Sequence, residues 1–411
     1  MPTPLPPTTA SRRELPPSRV AVTVAAPPAA ASPLPPRRPL LKRLEGWWRR
    51  AVLRGLSRML EARVVPPPDW NARVYRVLLV RYGRIGDMIM STALIRAIAQ
   101  SHRTIELDVL ASPENAAVLV GNPFVHHVIP FERHRWQSFP LLAVRLRRAH
   151  YDAVIDVMVL DASLTTALLM VSTGAPYRIG VAGRNNEFLY TVPVTSAGAD
   201  AHHVDQMATT GKPFGVHLTN TDWRLELHLA PDEIARGEAV WCEHEAGGVG
   251  RVRVLVNISA FLARRRWPDD RTVELLRRLR SVHDDLVILV IGAPADADRV
   301  VGVARAAGAA AVHTPRVRDA FAVVAAADLV VTPDTGISHA AAAVRTPALV
   351  LLPGDADGRR FTPYGNTGGE LFSDSETLAS LAVEPVAAAC EALLSAAASR
   401  HAAARRPRPS C

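Results

Sequence analysis

Two segments far apart in this chain each run from an apolar strand through a glycine loop into a helix, and this repeated pattern constrains the fold most. In residues 75–91, the predicted strand at 77–80 is apolar on both faces, as a strand inside a parallel sheet must be. Gly83 and Gly86 allow a turn that residues with a Cβ resist, and residues 88–99 have a helical pattern. Asp87 is therefore predicted at or near the helix N-cap.

Asp87 has two interpretations. Asp is favoured at N-caps, so its carboxylate could serve only to bond the free amides of the helix. Ligands also bind beyond the carboxyl ends of parallel strands, where the same carboxylate could act as a general base. Taken alone, the residue does not decide between these roles.

The second segment, residues 330–352, repeats the design. A predicted strand at 328–331 ends in a Pro-Asp-Thr-Gly turn, and an alanine-rich helix with His339 in its first turn begins there. Free amides at that helix N-terminus, together with the hydroxyl of Thr335, form a cradle for phosphate.

A third segment, residues 254–269, places basic side chains directly after another apolar strand. Arginines at 264–266 can make bidentate bonds to phosphate oxygens, and Trp267-Pro268 fixes where the next helix begins. Three such signals at strand ends, in two halves of one chain, indicate a phosphate-bearing ligand.

Length and alternation predict two α/β domains. At 411 residues with 48% hydrophobic content, the chain is about twice the usual domain size and holds enough apolar residues for two cores. The residues L-H-L-A-P-D-E at 227–233 predict the end of a strand followed by the start of a new helix, and a boundary near 229–233 divides residues 71–230 from residues 231–400. Predicted strands lie at 105–110, 153–157, 254–257, 286–291 and 348–352, and predicted helices include 141–149, 271–282 and 385–399.

The first 70 residues differ from the rest. Residues 1–40 are rich in Pro, Ala and Ser and are predicted to be disordered, and residues 41–70 are interpreted as a basic amphipathic helix and a linker. Residues 1–65 hold 12 basic and 3 acidic residues, a net charge of +9 that equals the charge of the whole chain. The remainder is neutral, so nucleic-acid binding by the folded body is not favoured.

The predicted helix at 40–60 carries Trp47 and Trp48 among arginines and leucines. This pattern favours a helix that binds an anionic membrane surface. The alternative is a helix that packs on the first domain and keeps its arginines in solvent. No segment approaches the roughly 20 apolar residues of a transmembrane helix.

Cysteine and histidine usage predicts no metal site. Three scattered cysteines, Cys242, Cys390 and Cys411, fit a helix residue, a core residue and a tail residue. The pairs at 126–127 and 202–203 are interpreted as loop or surface residues, because adjacent side chains diverge. His202, His203 and Asp205 are a secondary candidate for the acceptor side of a cleft.

Four motifs resemble glycosyltransferase family 9, the ADP-heptose heptosyltransferases. They are G-R-I-G-D at 83–87, N-P-F-V at 122–125, R-R-W-P at 265–268 and D-T-G-I-S-H at 334–339, in the family's order. The resemblance implies a GT-B fold, in which two Rossmann-like domains face each other across a cleft, and a last helix that crosses back to the first domain. It also implies metal-free sugar transfer with inversion.

Carried over by motif, Asp87 is the base that deprotonates the acceptor hydroxyl. Arg265 stands where the family usually has a lysine that binds the donor phosphate. The arginine keeps the positive charge but presents a planar guanidinium group instead of an ammonium group. The strand end N-I-S-A at 257–260 departs from the N-P-G-like turn of the family.

The remaining implied roles concern the donor. Thr335 and Gly336 meet the diphosphate, Asp334 holds sugar hydroxyls, and His339 lies in the same loop. Asp296, in G-A-P-A-D, matches an acid near the nucleotide ribose.

The predicted reaction moves a heptose or related sugar from an ADP-sugar to a glycolipid such as a lipopolysaccharide inner core, without a cofactor. The chain is expected in the cytoplasm, peripheral on the inner membrane face. A GT-B nucleotide-sugar epimerase and a non-catalytic scaffold are the alternatives. A dehydrogenase is disfavoured, because G-R-I-G-D does not form the G-x-G-x-x-G turn.

Overall fold

The computed structural model describes residues 63–404 except 134, 159–162, 184–185 and 246–250, together with positions 52, 55, 57 and 58. The interpretation of residues 1–40 as a disordered tail lies outside the described residues, as does that of residues 40–60 as a basic helix, apart from those four positions. Within that description, no helix is both long and apolar enough to cross a bilayer.

Two six-stranded parallel sheets form the molecule. The strands are β1 Tyr75–Arg81, β2 Ile105–Ala111, β3 His127–Pro130, β4 Ala153–Asp156, β5 Tyr177–Val181, β6 Val192–Val194, β7 Val252–Asn257, β8 Leu286–Ile291, β9 Ala310–Ala311, β10 Leu329–Pro333, β11 Ala348–Leu352 and β12 Gly369–Phe372. The α-helices are α1 Ile85–Ser101, α2 Pro113–Ala116, α3 Phe139–Arg148, α4 Leu164–Thr173, α5 His203–Ala208, α6 Pro231–Cys242, α7 Asp269–Val282, α8 Ala297–Ala307, α9 Val317–Ala325, α10 Gly336–Val344, α11 Ala356–Arg360 and α12 Val383–Ala404.

The sheets share one topology. The first has the order β3-β2-β1-β4-β5-β6, and the second, taken from its β9 edge, has β9-β8-β7-β10-β11-β12. This is the doubly wound order of Rossmann folds, which places ligands where the strand order reverses. In the first sheet the reversal lies between β1 and β4, where Leu79 pairs with Ile155. In the second it lies between β7 and β10, where Val330 pairs with Leu255.

Helices cover both faces of each sheet, which explains the unbroken apolar strands. On β1, Val77 and Leu79 enter one core cluster, while Leu78 and Val80 enter another on the opposite face. All four side chains are fully buried. Strands buried on both faces must be apolar at every position, and the sequence shows this pattern.

The link between the sheets differs from the prediction. Residues 224–230 belong to no helix or strand, so the strand end expected before the boundary is absent there, and α6 begins at Pro231. Helix α6 packs on α9 of the second domain, where Trp241 donates its indole N–H to the Val323 carbonyl at 3.0 Å.

The last helix also differs from what the resemblance implies. Val386, Ala387 and Cys390 of α12 are buried in the core beneath the second sheet, with β7, β8 and α7. Because the apolar face of α12 is used there, the helix completes the second domain rather than crossing to the first.

Candidate functional site

Asp87 lies in the first turn of α1, near its N-cap, as predicted. The helix begins at Ile85, Arg84 is the N-cap residue, and Asp87 is the third helical residue. Its Oδ2 accepts a hydrogen bond from the Arg84 backbone N–H at 3.1 Å, whereas Oδ1 faces the guanidinium of Arg81 at 3.5 Å. One carboxylate oxygen therefore caps the helix while the side chain stays 26% exposed, so the capping and functional interpretations are compatible.

Arg81, which the sequence analysis did not single out, is the buried cation beside Asp87. It is 1% exposed and donates to the Val157 carbonyl at 2.8 Å. Its Nη2 lies 2.7 Å from Nε2 of His203. Since guanidinium only donates, His203 accepts through Nε2. The signal in the sequence is an arginine that directly follows the apolar run at 77–80.

The charges around Asp87 favour its ionised form. Burial opposes ionisation, but the Arg81 cation and the Arg84 amide together hold the pKa of Asp87 below its ordinary value. Burial and Arg81 lower the pKa of His203 to about 3. At neutral pH the cluster is thus a carboxylate, a guanidinium and a neutral imidazole.

The two glycines before Asp87 are required for close approach rather than for an unusual turn. Neither has a positive φ, so a Cβ is resisted here by close contacts and not by the backbone conformation. A Cβ on Gly83 would lie 2.7 Å from Oδ2 of Asp87, and a Cβ on Gly86 would lie 2.6 Å from Cδ2 of His339. The second of these contacts joins the two domains.

The donor loop predicted at 334–339 forms the N-terminus of α10. Thr335 is the N-cap residue, and its hydroxyl accepts from the Ile337 N–H at 3.2 Å. Asn257, at the end of β7, donates its side-chain amide to the hydroxyls of Thr332 and Thr335 at 2.9 and 3.2 Å. Asn257 was part of the N-I-S-A departure, and here it fixes the Thr335 side chain.

The N-termini of α1 and α10 meet across the cleft. A Cβ on Gly336 would lie 3.0 Å from Cγ2 of Ile85 and 3.6 Å from the Gly86 nitrogen. At the cleft edge, the Arg84 guanidinium lies over the ring of Phe261 at 4.3 Å. The fold thus brings both predicted glycine loops together at one point.

Arg265 and Asp334 form a charged pair beside this loop. Arg265 Nη1 lies 2.5 Å from Asp334 Oδ2, and both side chains are mostly buried. Burial raises the pKa of Asp334 to about 6, against the opposing effects of Arg265 and Arg84. The negative charge of Asp87 contributes in the same direction as burial.

His339 is buried between the loops. It is 3% exposed, its Nε2 lies 3.8 Å from Oδ1 of Asp334, and burial lowers its pKa to about 4. Its Nδ1 has no hydrogen-bond partner among the described residues.

Asp296 lies after β8 and is held by a different set of partners. It accepts from Ser259 Oγ at 2.6 Å and from Arg299 at 3.0 Å, and Arg266 lies 3.4 Å away. These partners come from the end of β7, from the segment before α7 and from α8 rather than from the loop at 334–339. Its predicted place near a ribose stays a prediction.

Histidines 202 and 203 lie at the domain interface. His202 Nε2 is 2.8 Å from the Thr362 carbonyl, and the His203 ring lies 4.7 Å from the ring of Phe361. His203 therefore touches both Arg81 and the second domain. A role for these residues or Asp205 toward an acceptor stays a prediction.

The other histidine pair contradicts the divergence that was expected. His126 and His127 both direct Nδ1 toward Oδ1 of Asp108, at 3.4 and 3.2 Å. Adjacent side chains diverge in an extended strand, but His126 lies in a bend before β3. Of the cysteines, Cys242 ends α6 and Cys390 is a buried free thiol, and Cys411 lies outside the described residues.

The fold and the facing loops define the class of the molecule. Two Rossmann-like domains with their ligand-binding strand ends turned toward each other constitute the GT-B fold of nucleotide-sugar enzymes. Residues 141–385 match the model of glycosyltransferase family 9 (heptosyltransferase), and the chain belongs to this family. It is a glycosyltransferase.

Known relatives agree with this assignment. Lipopolysaccharide heptosyltransferase 2 of Escherichia coli (strain K12) is 24% identical over 315 residues, which cover 70% of this chain and 85% of the relative. A solved family 9 glycosyltransferase from Veillonella parvula DSM 2008 has a TM-score of 0.69 at 16% identity, covering 80% of this chain and 99% of that one. An E. coli heptosyltransferase solved with ADP has a TM-score of 0.61 at 20% identity, covering 79% and 99%.

Proposed function

We propose that this enzyme transfers a heptose or a related sugar from an ADP-sugar to a glycolipid such as a lipopolysaccharide inner core. The observation that carries the proposal is the meeting of two helix N-termini, one bearing Asp87 and the other bearing Thr335 and Gly336. The name of the E. coli relative and the ADP in the solved neighbour support the acceptor and donor classes. These classes favour a cytoplasmic location beside the inner membrane.

In the proposed step, Asp87 removes the proton from the acceptor hydroxyl. The acceptor oxygen bonds to the anomeric carbon as the bond to the diphosphate oxygen breaks, and ADP leaves with the electron pair. A single displacement of this kind inverts the anomeric centre. Because Arg81 favours the ionised form of Asp87, the base is ready to accept a proton at neutral pH.

The leaving diphosphate gains negative charge during the step. In this proposal, Arg265 and the amides at the start of α10 stabilise that charge. The Thr335 hydroxyl is held by Asn257 and is therefore preorganised. Asp334 beside Arg265 would contact sugar hydroxyls, and Asp296 the ribose.

Turnover tests the proposal directly. Purified full-length protein is mixed with ADP-heptose and a lipid A-linked inner-core acceptor, and ADP release is measured with and without chelator. We expect acceptor-dependent release that survives chelation and falls about 10²- to 10⁴-fold in Asp87→Asn, the usual contribution of a general base. Asparagine can still accept the Arg84 N–H, so the helix cap is preserved.

Asp319→Asn is the matched control. Arg316 and Asp319 repeat the Arg84 and Asp87 capping geometry at the start of α9, with the Arg316 N–H bonded to Oδ2 of Asp319 at 3.3 Å. This variant should keep full turnover. Equal rates for Asp87→Asn and the wild type would overturn the proposed role of Asp87. Failure of the wild type to bind ADP-heptose would overturn the proposed donor.

A further inference from the structure

A cluster of one aspartate and two histidines lies in the first domain, away from the carboxyl ends of its strands. Asp108 is in the middle of β2 and pairs in register with His127, the first residue of β3, and with Leu78 of β1. Leu78 precedes Arg81 by three residues, or about 10 Å of strand. The cluster is thus separate from the cleft, which lies beyond the carboxyl ends of the strands.

The three potential ligand atoms are arranged around one point. Oδ1 of Asp108 lies 3.2 Å from Nδ1 of His127 and 3.4 Å from Nδ1 of His126, and all three atoms lie within 4.8 Å of one another. Ligands bound at about 2.0–2.1 Å to a tetrahedral zinc ion are about 3.3 Å apart. The two distances from Asp108 Oδ1 to the histidine nitrogens match this ligand-to-ligand distance.

The carboxylate is oriented through its second oxygen. Oδ2 of Asp108 accepts from the Tyr151 hydroxyl at 2.7 Å and lies 3.3 Å from Nη2 of Arg76. These bonds hold the side chain, which is 3% exposed, and leave Oδ1 toward the histidines. Hydrogen bonds to the outer oxygen of a ligating carboxylate are the usual support of a metal site.

The two rings leave one side open. The side chains of His126 and His127 are 45% and 58% exposed, and their rings are nearly perpendicular at a centroid distance of 4.0 Å. A metal held by these three side chains would complete its coordination with water. Two imidazoles and one carboxylate suit Zn²⁺ and related ions rather than Mg²⁺ or Ca²⁺, which prefer oxygen ligands.

We propose that Asp108, His126 and His127 bind one divalent transition-metal ion of the zinc type, which fastens the segment before β3 to β2. This site is independent of the sugar-transfer chemistry. Its occupancy stabilises the folded chain by mass action and leaves the proposed transfer step unchanged.

Zinc binding to the full-length protein, freed of metal by chelator, tests the site. Isothermal titration with ZnCl₂ should give one site per chain that MgCl₂ does not occupy, and zinc should raise the Tm. In His126→Ala/His127→Ala, the zinc affinity should fall at least about tenfold and the rise in Tm should disappear. Both rings are exposed enough for this variant to fold, which circular dichroism checks.

His217→Ala/His244→Ala is the control, because it removes two exposed histidines outside the cluster. It should bind zinc as the wild type does. Zinc binding that persists in the cluster variant, or that falls equally in the control, would overturn the site. A wild-type protein without a single saturable zinc site would overturn it too. None of these three results bears on glycosyl transfer, which is measured separately by ADP release.

Discussion

At the scale of single residues, we expect Asp334 and Arg265 to make the binding of the proposed donor depend on pH. Burial raises the pKa of Asp334 to about 6, so above pH 6 this carboxylate is ionised, pairs with Arg265 and repels a diphosphate. Below pH 6 it is neutral and Arg265 is released to phosphate. Like charges a few Å apart near a protein surface repel by about 1–4 kcal/mol, so we expect an effect of about tenfold in affinity.

ADP binding from pH 5 to 7.5, measured by isothermal titration, checks this sign. The Kd of the wild type relative to Asp334→Asn should be near unity at pH 5 and should rise about tenfold by pH 7.5, since both proteins share the titration of ADP itself. Asp355→Asn is the control, because burial is outweighed there by Arg264 and the pKa of Asp355 is lowered. A pH-independent ratio would contradict the coupling.

At the scale of elements, the contact between α1 and α10 depends on the absence of a side chain at residue 86. A Cβ there would lie 2.6 Å from the His339 ring, so Gly86→Ala should force the helix N-termini apart and lower the unfolding free energy by about 1–3 kcal/mol, the usual cost of overpacking. In a His339→Ala background, Gly86→Ala should lower the unfolding free energy only slightly. Thermal and urea unfolding of the wild type, the two single variants and the double variant give the coupling free energy between residues 86 and 339.

Gly302→Ala controls for the helix effect of alanine. Gly302 lies inside α8, and a Cβ added to it would have no atom within 4 Å, so this change should stabilise the protein by about 0.5–1 kcal/mol. If Gly86→Ala lowers the unfolding free energy equally with and without the His339 ring, the contact between residue 86 and His339 does not determine how closely the two helices approach.

The elements also show what sequence patterns can predict. The strands predicted at 286–291 and 348–352 are confirmed, because strands buried on both faces are apolar throughout. Sequence does not reveal that Gly86 faces His339 or that His203 faces Arg81, since both contacts depend on how distant segments pack. The bend at His126 escapes prediction for a local reason, because the expected divergence of adjacent side chains assumes an extended strand.

At the scale of the whole molecule, Arg318 ties the two domains together. It lies near the start of α9 in the second domain, is mostly buried, and forms an ion pair with Glu233 of α6. Its guanidinium also donates to the Ala117 carbonyl of the first domain at 2.8 Å and to the His228 carbonyl of the connecting segment at 2.7 Å. One side chain thus spans the first domain, the connection and the second domain.

Replacing this side chain should weaken the joint between the domains. Arg318→Met leaves Glu233 and two carbonyls without their donor, and breaking a buried pair costs about 3–5 kcal/mol. We expect a lower Tm and faster cleavage by trypsin between the domains. Arg316→Met, two residues away, removes an exposed pair with Asp319 and should change stability by less than about 1 kcal/mol. Similar losses in both variants would mean that Arg318 acts only within α9, and the orientation of the cleft would then rest on other contacts between the domains, such as those of α1 with α10 and of His203 with Phe361.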